Sequence, residues 1–355
     1  MNAQSTENAP KILKESKNKI KVDFERTSAW TRFRLKFLSW KFLGEAVYWL
    51  FRFVLLIGIS YVILQPFYTK IAASFMSPSD FVDATVKMIP KYPTLDTYKA
   101  VIVDNEYLEA LVNTTLLSLI CAVLQTLICS LVGYGFAKYK FKGKSLMFAL
   151  VILTMIIPHG TLRLSMFLKF RYFDIYGLFN ALGGGLVESF KVLPFTAVKL
   201  TGGFAPLIIL SATGLAFKNG LYIFMMRQFF NGVPDELEES AYIDGASTLR
   251  TFFQVIVPLS VPMMITVFLF SFCWQFTDNF YVDVFFPLNE IHMLPDIVEI
   301  PKSVMKEMEE FPAKNLWSSA VYNTCALLIL SPLLVLYLFC QRYLVQGIER
   351  SGIVG

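Results

Sequence analysis

Six stretches of about twenty or more mainly apolar residues run through this chain, near 47–69, 108–137, 146–168, 204–226, 258–282 and 317–340. A helix of about twenty apolar residues crosses the hydrocarbon layer of a bilayer, and it satisfies its backbone polar groups within itself. The expected fold is therefore an all-α polytopic membrane protein with six transmembrane helices. Composition agrees: apolar residues make up 55% of the 355 and charged residues only 17%, whereas a soluble domain carries about 25% charged residues. The 34 Phe suffice to coat several lipid-facing helices. The same balance excludes a disordered chain, a collagen-like chain and a secreted disulfide scaffold. A seventh apolar stretch, about 178–200, is interrupted by Gly183-Gly184-Gly185, Glu188, Lys191, Pro194 and Lys199. It reads as an extracytoplasmic insertion, about 170–203, that is re-entrant or lies on the surface.

Basic residues orient the spans. Ten Lys and Arg, from Lys11 to Lys41, precede the first span, and the loop after the second holds Lys138, Lys140, Lys142 and Lys144 without an acid. The loop at 283–315 instead has seven acids against three lysines. Both termini are thus expected in the cytoplasm, and with them the loop at 227–257. Residues 1–46 are too long and polar for a signal peptide. They divide into a basic tail and an interfacial amphipathic helix, in which Trp30, Phe33, Phe37 and Trp40 recur at helical spacing among basic residues. The net charge of +5, distributed in this way, points to membrane lipid as a partner and not to nucleic acid. Residues 47–355 form the membrane domain, ending in a tail at 341–355.

Little in the chain suggests chemistry of its own. Cys121, Cys129, Cys273, Cys325 and Cys340 lie in or beside apolar stretches without paired spacing, as small packing residues do. His159 and His292 are far apart, so no metal site is expected. A phosphate-binding loop needs Gly, four residues, then Gly-Lys-Ser/Thr. Gly143-Lys144-Ser145 supplies only its second half, because position 138 is Lys. No cofactor is expected on this chain, and no phosphate-binding loop for a nucleotide is present in it.

The most specific local signal is the loop NGVPDELEESAYIDGASTLRTFFQVIVPLSVP. Pro234 suits a first helical position, and Asp235 and Glu236 suit the positive end of a helix dipole. Leu237, Ala241 and Asp244 fall on one face, and Gly245 suits a left-handed terminator. A second short helix is expected from about Ser247 or Thr248 until Pro258 breaks it. The product is two short helices around a bend of small residues, Gly245 and Ala246, which lets another protein approach the backbone closely.

These residues resemble the signature of the permease subunits of binding-protein-dependent ABC importers, in the carbohydrate branch that includes the maltose permease. That signature runs EAA, three residues, Gly, about nine residues, then an apolar residue, one more and Pro. Here it reads Glu239-Ser240-Ala241, then Asp244-Gly245-Ala246, then Ile256-Val257-Pro258-Leu259, with Ser240 in place of Ala. The likeness extends to the second span with its basic end and to the tail QRYLVQGIERSGIVG, covering roughly 108–168 and 204–355. It does not cover the N-terminal tail or the insertion.

The resemblance implies the six-helix membrane fold of type I ABC importers, in the plasma membrane of a prokaryote. It implies a second permease subunit as heterodimer partner, a cytoplasmic ATPase dimer that binds ATP and Mg, and an extracytoplasmic solute-binding protein that delivers a sugar or oligosaccharide. The loop would then form the coupling helices that dock on the ATPase. Glu239 would pair with basic groups there and Gly245 would shape the bend, with Glu238, Ser240, Asp244 and Ala246 in the same loop; Leu237, Ala241 and Leu249 are added from the residues themselves as packing candidates. Independently of the resemblance, span five places Gln275 about 25 Å beyond Pro258 at about 1.5 Å per residue, with Trp274 beside it, Asn279 four residues on sharing its face, and Asp278 close to that face. Polar groups at such depth turn toward a cavity or a bundle interior. Aromatic faces beside amides and a carboxylate suit sugars, and an interfacial aromatic belt with polar helix packing is the competing explanation. A permease for a non-sugar solute, an ion-coupled secondary transporter and an intramembrane enzyme are the alternatives. The last two lack midplane ionisable pairs and a nucleophile–base cluster respectively.

Overall fold

The computed structural model describes residues 40–174, 199–286 and 291–352, with side chains between 44 and 343. The basic tail, the amphipathic stretch from Trp30 to Phe37, most of the insertion and the end of the C-terminal tail lie outside the described residues.

The chain divides into two compact units, Met1–Tyr68 and Thr69–Gly355. What is described of the first is helical, within α1 (Trp40–Ser74). Val47, Phe51, Leu55 and Val62 are all exposed along it, and Trp49 stacks on Phe53 one turn later at 5.2 Å. A helix that is apolar all round needs apolar surroundings.

The second unit is helical among its described residues. Its α-helices are α2 (Asp96–Asp104), α3 (Tyr107–Lys138), α4 (Lys144–Ile156), α5 (Arg163–Arg171), α6 (Ala205–Ala212) and α7 (Asn219–Asn231). There follow α8 (Glu236–Ile243), α9 (Thr248–Thr251), a π-helical turn (Phe252–Ile256), α10 (Val257–Phe276), α11 (Phe280–Phe285), α12 (Lys302–Glu310) and α13 (Lys314–Gly352). The centre is α3, which packs along α6, α7 and α10. Close approach explains one glycine: a Cβ on Gly133 would stand 2.7 Å from the Cβ of Met226 and 3.0 Å from the backbone nitrogen of Arg227. Only a residue without a side chain lets α3 and α7 meet there.

Among the described residues four helices are long and apolar enough to cross a membrane, Gly44–Ser74, Tyr107–Lys138, Thr248–Phe276 and Lys314–Tyr343. A fifth crossing is available if Lys144–Ile156 and His159–Arg171, which meet at 94°, count as one. The bend has a local cause in Pro158. The residue before a proline is pushed out of the helical region, and Ile157 is extended at φ −64°, ψ 122°. The expected span at 204–226 is also interrupted, between α6 and α7. There Gly214 turns the chain at φ +75° and Lys218 precedes the next helix. At the other end of the chain α13 runs unbroken to Gly352, so the backbone of 341–352 continues the last span.

Before α3 the chain turns at Glu106, the one described non-glycine residue with positive φ, +50°. The neighbouring Asn105 is buried and donates from Nδ2 to the carbonyls of Ile297 (2.8 Å) and Glu299 (2.9 Å). The backbone N–H of Ser303 donates to Asp104 at 2.8 Å, and that of Leu294 donates to Thr114 on α3 at 2.9 Å. The loop after α11 is thereby fastened to the start of α3. Asp104 is held below the usual carboxylate range, chiefly by its hydrogen bonds from Ser303.

Candidate functional site

The expected two-helix loop forms, with two differences. Its first helix, α8, starts two residues later than Pro234 suggests, with Asp235 at the cap and Glu236, Glu238 and Glu239 in the first turn. Acids there meet the unpaired N–H groups and the positive end of the dipole. It ends as a Schellman motif: Gly245 N–H donates to Tyr242 C=O (3.0 Å), and Ala246 N–H donates to Ala241 C=O (2.9 Å). Gly245 stands at φ +80° with open space where a Cβ would be, so backbone conformation alone selects glycine.

The second difference concerns Pro258. It does not end the helix that starts at Thr248. The chain passes through the π-helical turn and continues as α10, in whose first turn Pro258 sits. The missing N–H of a proline does no harm in a first turn, and the wider π turn accommodates the change of register.

α8 has two faces. Outward stand Leu237, Glu239, Ser240, Tyr242 and Ile243, with Ile243 85% exposed; Asp244 is exposed at the cap, and Leu249 and Phe253 are exposed just beyond the bend. Inward stand Glu238 and Ala241, three residues apart and both buried. Tyr134 Oη donates to Glu238 Oε2 at 3.1 Å. Lys138 Nζ lies 3.7 Å from Glu238 Oε1 and donates to Asp235 Oδ1 and the Val233 carbonyl, both at 2.5 Å. That hydrogen bond from Lys138 holds the Asp235 carboxyl below its ordinary range. Around the cluster Tyr134 packs against Phe230 and Phe252.

A second constellation lies along α3, α7 and α10. A narrow recess of about 20 Å³ is lined by Gln125, Phe217, Lys218, Trp274, Gln275 and Asp278, among others. Gln125 is buried and joins three helices: its Nε2 donates to Ser211 Oγ (3.1 Å), and its Oε1 accepts from Ser271 Oγ (2.8 Å). Lys218 Nζ stands 4.0 Å from the Trp274 ring and 4.1 Å from the Phe217 ring, within cation–π range. Asp278 accepts from the Tyr281 backbone N–H at 2.9 Å. The recess thus brings an aromatic face, an amide, a cation and a carboxylate together. Among the described residues no group of three or more His, Cys, Asp or Glu is placed to hold a metal ion.

The model of the family described as binding-protein-dependent transport system inner membrane component matches residues 125–350. The chain belongs to this family. The stretch covers α8, the bend and every residue of the recess. Curated relatives agree. A galactooligosaccharides transport system permease protein of Bacillus subtilis (strain 168) is 28% identical over 312 residues, 86% of this chain and 95% of the relative. A maltose/maltodextrin transport system permease protein of Vibrio parahaemolyticus is 27% identical over 307 residues, 83% and 92% of the two chains. The fold is shared with a solved bacterial ABC transporter involved in the import of the acidic polysaccharide alginate. That likeness has a TM-score of 0.64 at 18% identity and covers 84% of this chain and 97% of the other.

The chain is accordingly a permease component of a binding-protein-dependent ABC importer. Trp274, Gln275 and Asp278 come together in the recess, whereas Asn279 does not line it. The helix that would have aligned Asn279 with Gln275 ends at Phe276, and Asn279 caps α11 instead. Lys218 and Gln125 lie beyond what the sequence pattern predicts. Lys218 carries a visible signal, a cation inside an otherwise apolar segment and flanked by Gly214 and Gly220. Gln125 carries none beyond being an amide in an apolar run.

Proposed function

We propose that this permease imports a sugar or oligosaccharide. It would pair with a second permease subunit, receive solute from an extracytoplasmic binding protein, and be driven by a separate cytoplasmic ATPase dimer that binds ATP and Mg. In this reading it sits in the plasma membrane of a prokaryote, crosses six times and has both termini in the cytoplasm. The crossing that includes α6 and α7 would be a broken one.

One observation carries the coupling assignment. An eight-residue helix, stopped by a Schellman turn, presents Leu237, Glu239, Tyr242 and Ile243 to solvent beside exposed Leu249. Large apolar side chains around a carboxylate, carried on a rigid element, suit a groove with an apolar floor and a basic rim. In this role Glu239, Ser240, Asp244, Gly245 and Ala246 belong to the docking surface. Ala241 and Glu238 face inward and support it, and Pro258 belongs to the helix that follows. The recess is the proposed solute path. Support for the sugar class comes from the names of the relatives and from the Trp274 face beside Gln275 and Asp278.

The test is mild-detergent purification of the tagged chain from its native host, identifying what accompanies it. Recovery of an ATPase subunit with vanadate-sensitive turnover is expected. Glu239→Lys should remove that subunit and leave membrane insertion intact. A chain that emerges alone and moves solute into liposomes without ATP would overturn the reading.

A further inference from the structure

A docking helix does work only if its displacement reaches the solute path. The covalent connections of α8 are poorly suited to that. On one side it joins α7 through the short turn Gly232-Val233-Pro234, and on the other it joins α9 through the left-handed Gly245. Neither connection leads to α3, whose Gln125 lines the recess.

The stiff connection is lateral. Lys138 is the last residue of α3, and its side chain is only 8% exposed. It holds α8 and the turn before it at the Val233 carbonyl, the Asp235 carboxylate and the Glu238 carboxylate. One turn back along α3, Tyr134 holds the other oxygen of Glu238. The Glu238 side chain is itself only 11% exposed, so its charge is paired inside the chain and is withheld from any partner. The hydrogen bonds from Lys138 to Asp235 and from Tyr134 to Glu238 are charge-assisted, hence directional, whereas Glu238 Oε1 faces Lys138 across 3.7 Å as an ion pair without a hydrogen bond. From Lys138 the same helix runs back to Gln125, thirteen residues away or about 20 Å at 1.5 Å per residue, and Gln125 lines the recess.

We propose that the buried cluster of Lys138, Glu238 and Tyr134 is the joint through which movement of α8 reaches α3 and the recess. Lys138 and Glu238 are then positioning residues for the ATP-driven change of the solute path. The inference rests on the reading of α8 as the ATPase-docking helix. It gives the two neighbouring glutamates different roles, since Glu239 engages the partner and Glu238 engages α3.

The experiment uses the complex purified from native membranes, with Gln275→Cys as a reporter in a background where Cys273 and Cys340 are Ser. The rate of labelling by a charged maleimide is compared with and without MgATP and vanadate, and the amount of co-purifying ATPase subunit is measured alongside. Glu238→Gln and Lys138→Met should reduce the nucleotide-driven change in labelling roughly tenfold, the size of one hydrogen bond to a charged group, while the ATPase subunit is recovered in full. Lys138→Arg should restore the response. Tyr134→Phe, which keeps the aromatic packing, should give a smaller reduction and serves if the other variants fail to accumulate. A full response in Glu238→Gln, or loss of the ATPase subunit in every cluster variant including Lys138→Arg, would overturn the inference. Retention of the ATPase subunit by Glu239→Lys would instead overturn the docking assignment on which it rests.

Discussion

The α8-bearing loop and the recess are built in opposite ways. The loop is almost contiguous: its exposed face, its stop and its bend come from residues 237–253. The recess is assembled from Gln125, Lys218 and Gln275, which three different parts of the chain contribute. The loop is also an outward surface, defined by what is left bare, whereas the recess is defined by what lines it. A contiguous surface tolerates a single exchange without losing its shape. An assembled recess depends on every helix contact that brings its parts together, so the two regions should fail differently under mutation.

The largest effect is expected where helices meet without side chains between them. Gly133→Ala puts a Cβ against Met226 and the Arg227 backbone nitrogen. The resulting overpacking should cost about 1–3 kcal/mol, read as a lower midpoint of thermal unfolding in detergent. Because α3 also carries Gln125, the recess should be disturbed along with stability. Unchanged stability would show that α3 and α7 slide apart freely, and the contrast between the two regions would then collapse.

Next comes Gly245→Ala. The left-handed conformation at φ +80° penalises a Cβ by about 1–2 kcal/mol. The same assay should register this cost, and recovery of the ATPase subunit should drop with it. A variant as stable as wild type would mean that the bend is not maintained in the assembled protein.

Lys218→Met sharpens the comparison from the other side. It keeps the apolar stem over Trp274 and Phe217 and removes the charge, a cation–π contribution of about 0.5–2 kcal/mol. Uptake should fall while the ATPase subunit still co-purifies. Normal uptake would remove Lys218 from the solute path. The smallest effect belongs to Asp235→Asn. Lys138 holds this carboxyl below the ordinary value of 3.8, so its contribution is present above that value and is lost as pH falls through the lower folded one. At neutral pH the ion pair is in place, but Asp235 is exposed and Lys138 keeps the Val233 carbonyl and Glu238 as partners, so its removal should leave uptake and thermal midpoint close to wild type.

Contiguity also decides how much of the molecule is legible before folding. The helical bend around Gly245 can be read because its terminator, its acids and its small residues are neighbours in sequence. The inward turn of Glu238 cannot, since nothing local distinguishes it from Glu239; only the arrival of Tyr134 and Lys138, about a hundred residues earlier in the chain, makes the difference. Pro258 misleads for a related reason. A proline signals a break when helix ends are judged locally, yet here a π-helical turn carries the helix past it. The apolar segments at 146–168 and 204–226 hide their interruptions because hydropathy averages over Pro158 and Gly214. Trp274 and Gln275 follow from depth along one helix, and Asp278 lies two residues past its end. Their companions on α3 and before α7 do not, because depth says nothing about neighbours.

The fastening of the loop after α11 to the head of α3 acquires a meaning beside the joint at its foot. Asn105 and Thr114 grip that loop at one end, and Lys138 grips α8 at the other. Between the grips runs an unbroken helix of 32 residues, a rod about 48 Å long at about 1.5 Å per residue. A rod with a handle at each end needs no relay of small rearrangements to carry a message. If α8 moves as proposed, a rigid α3 carries the displacement past Gln125 to the loop fastened at its head.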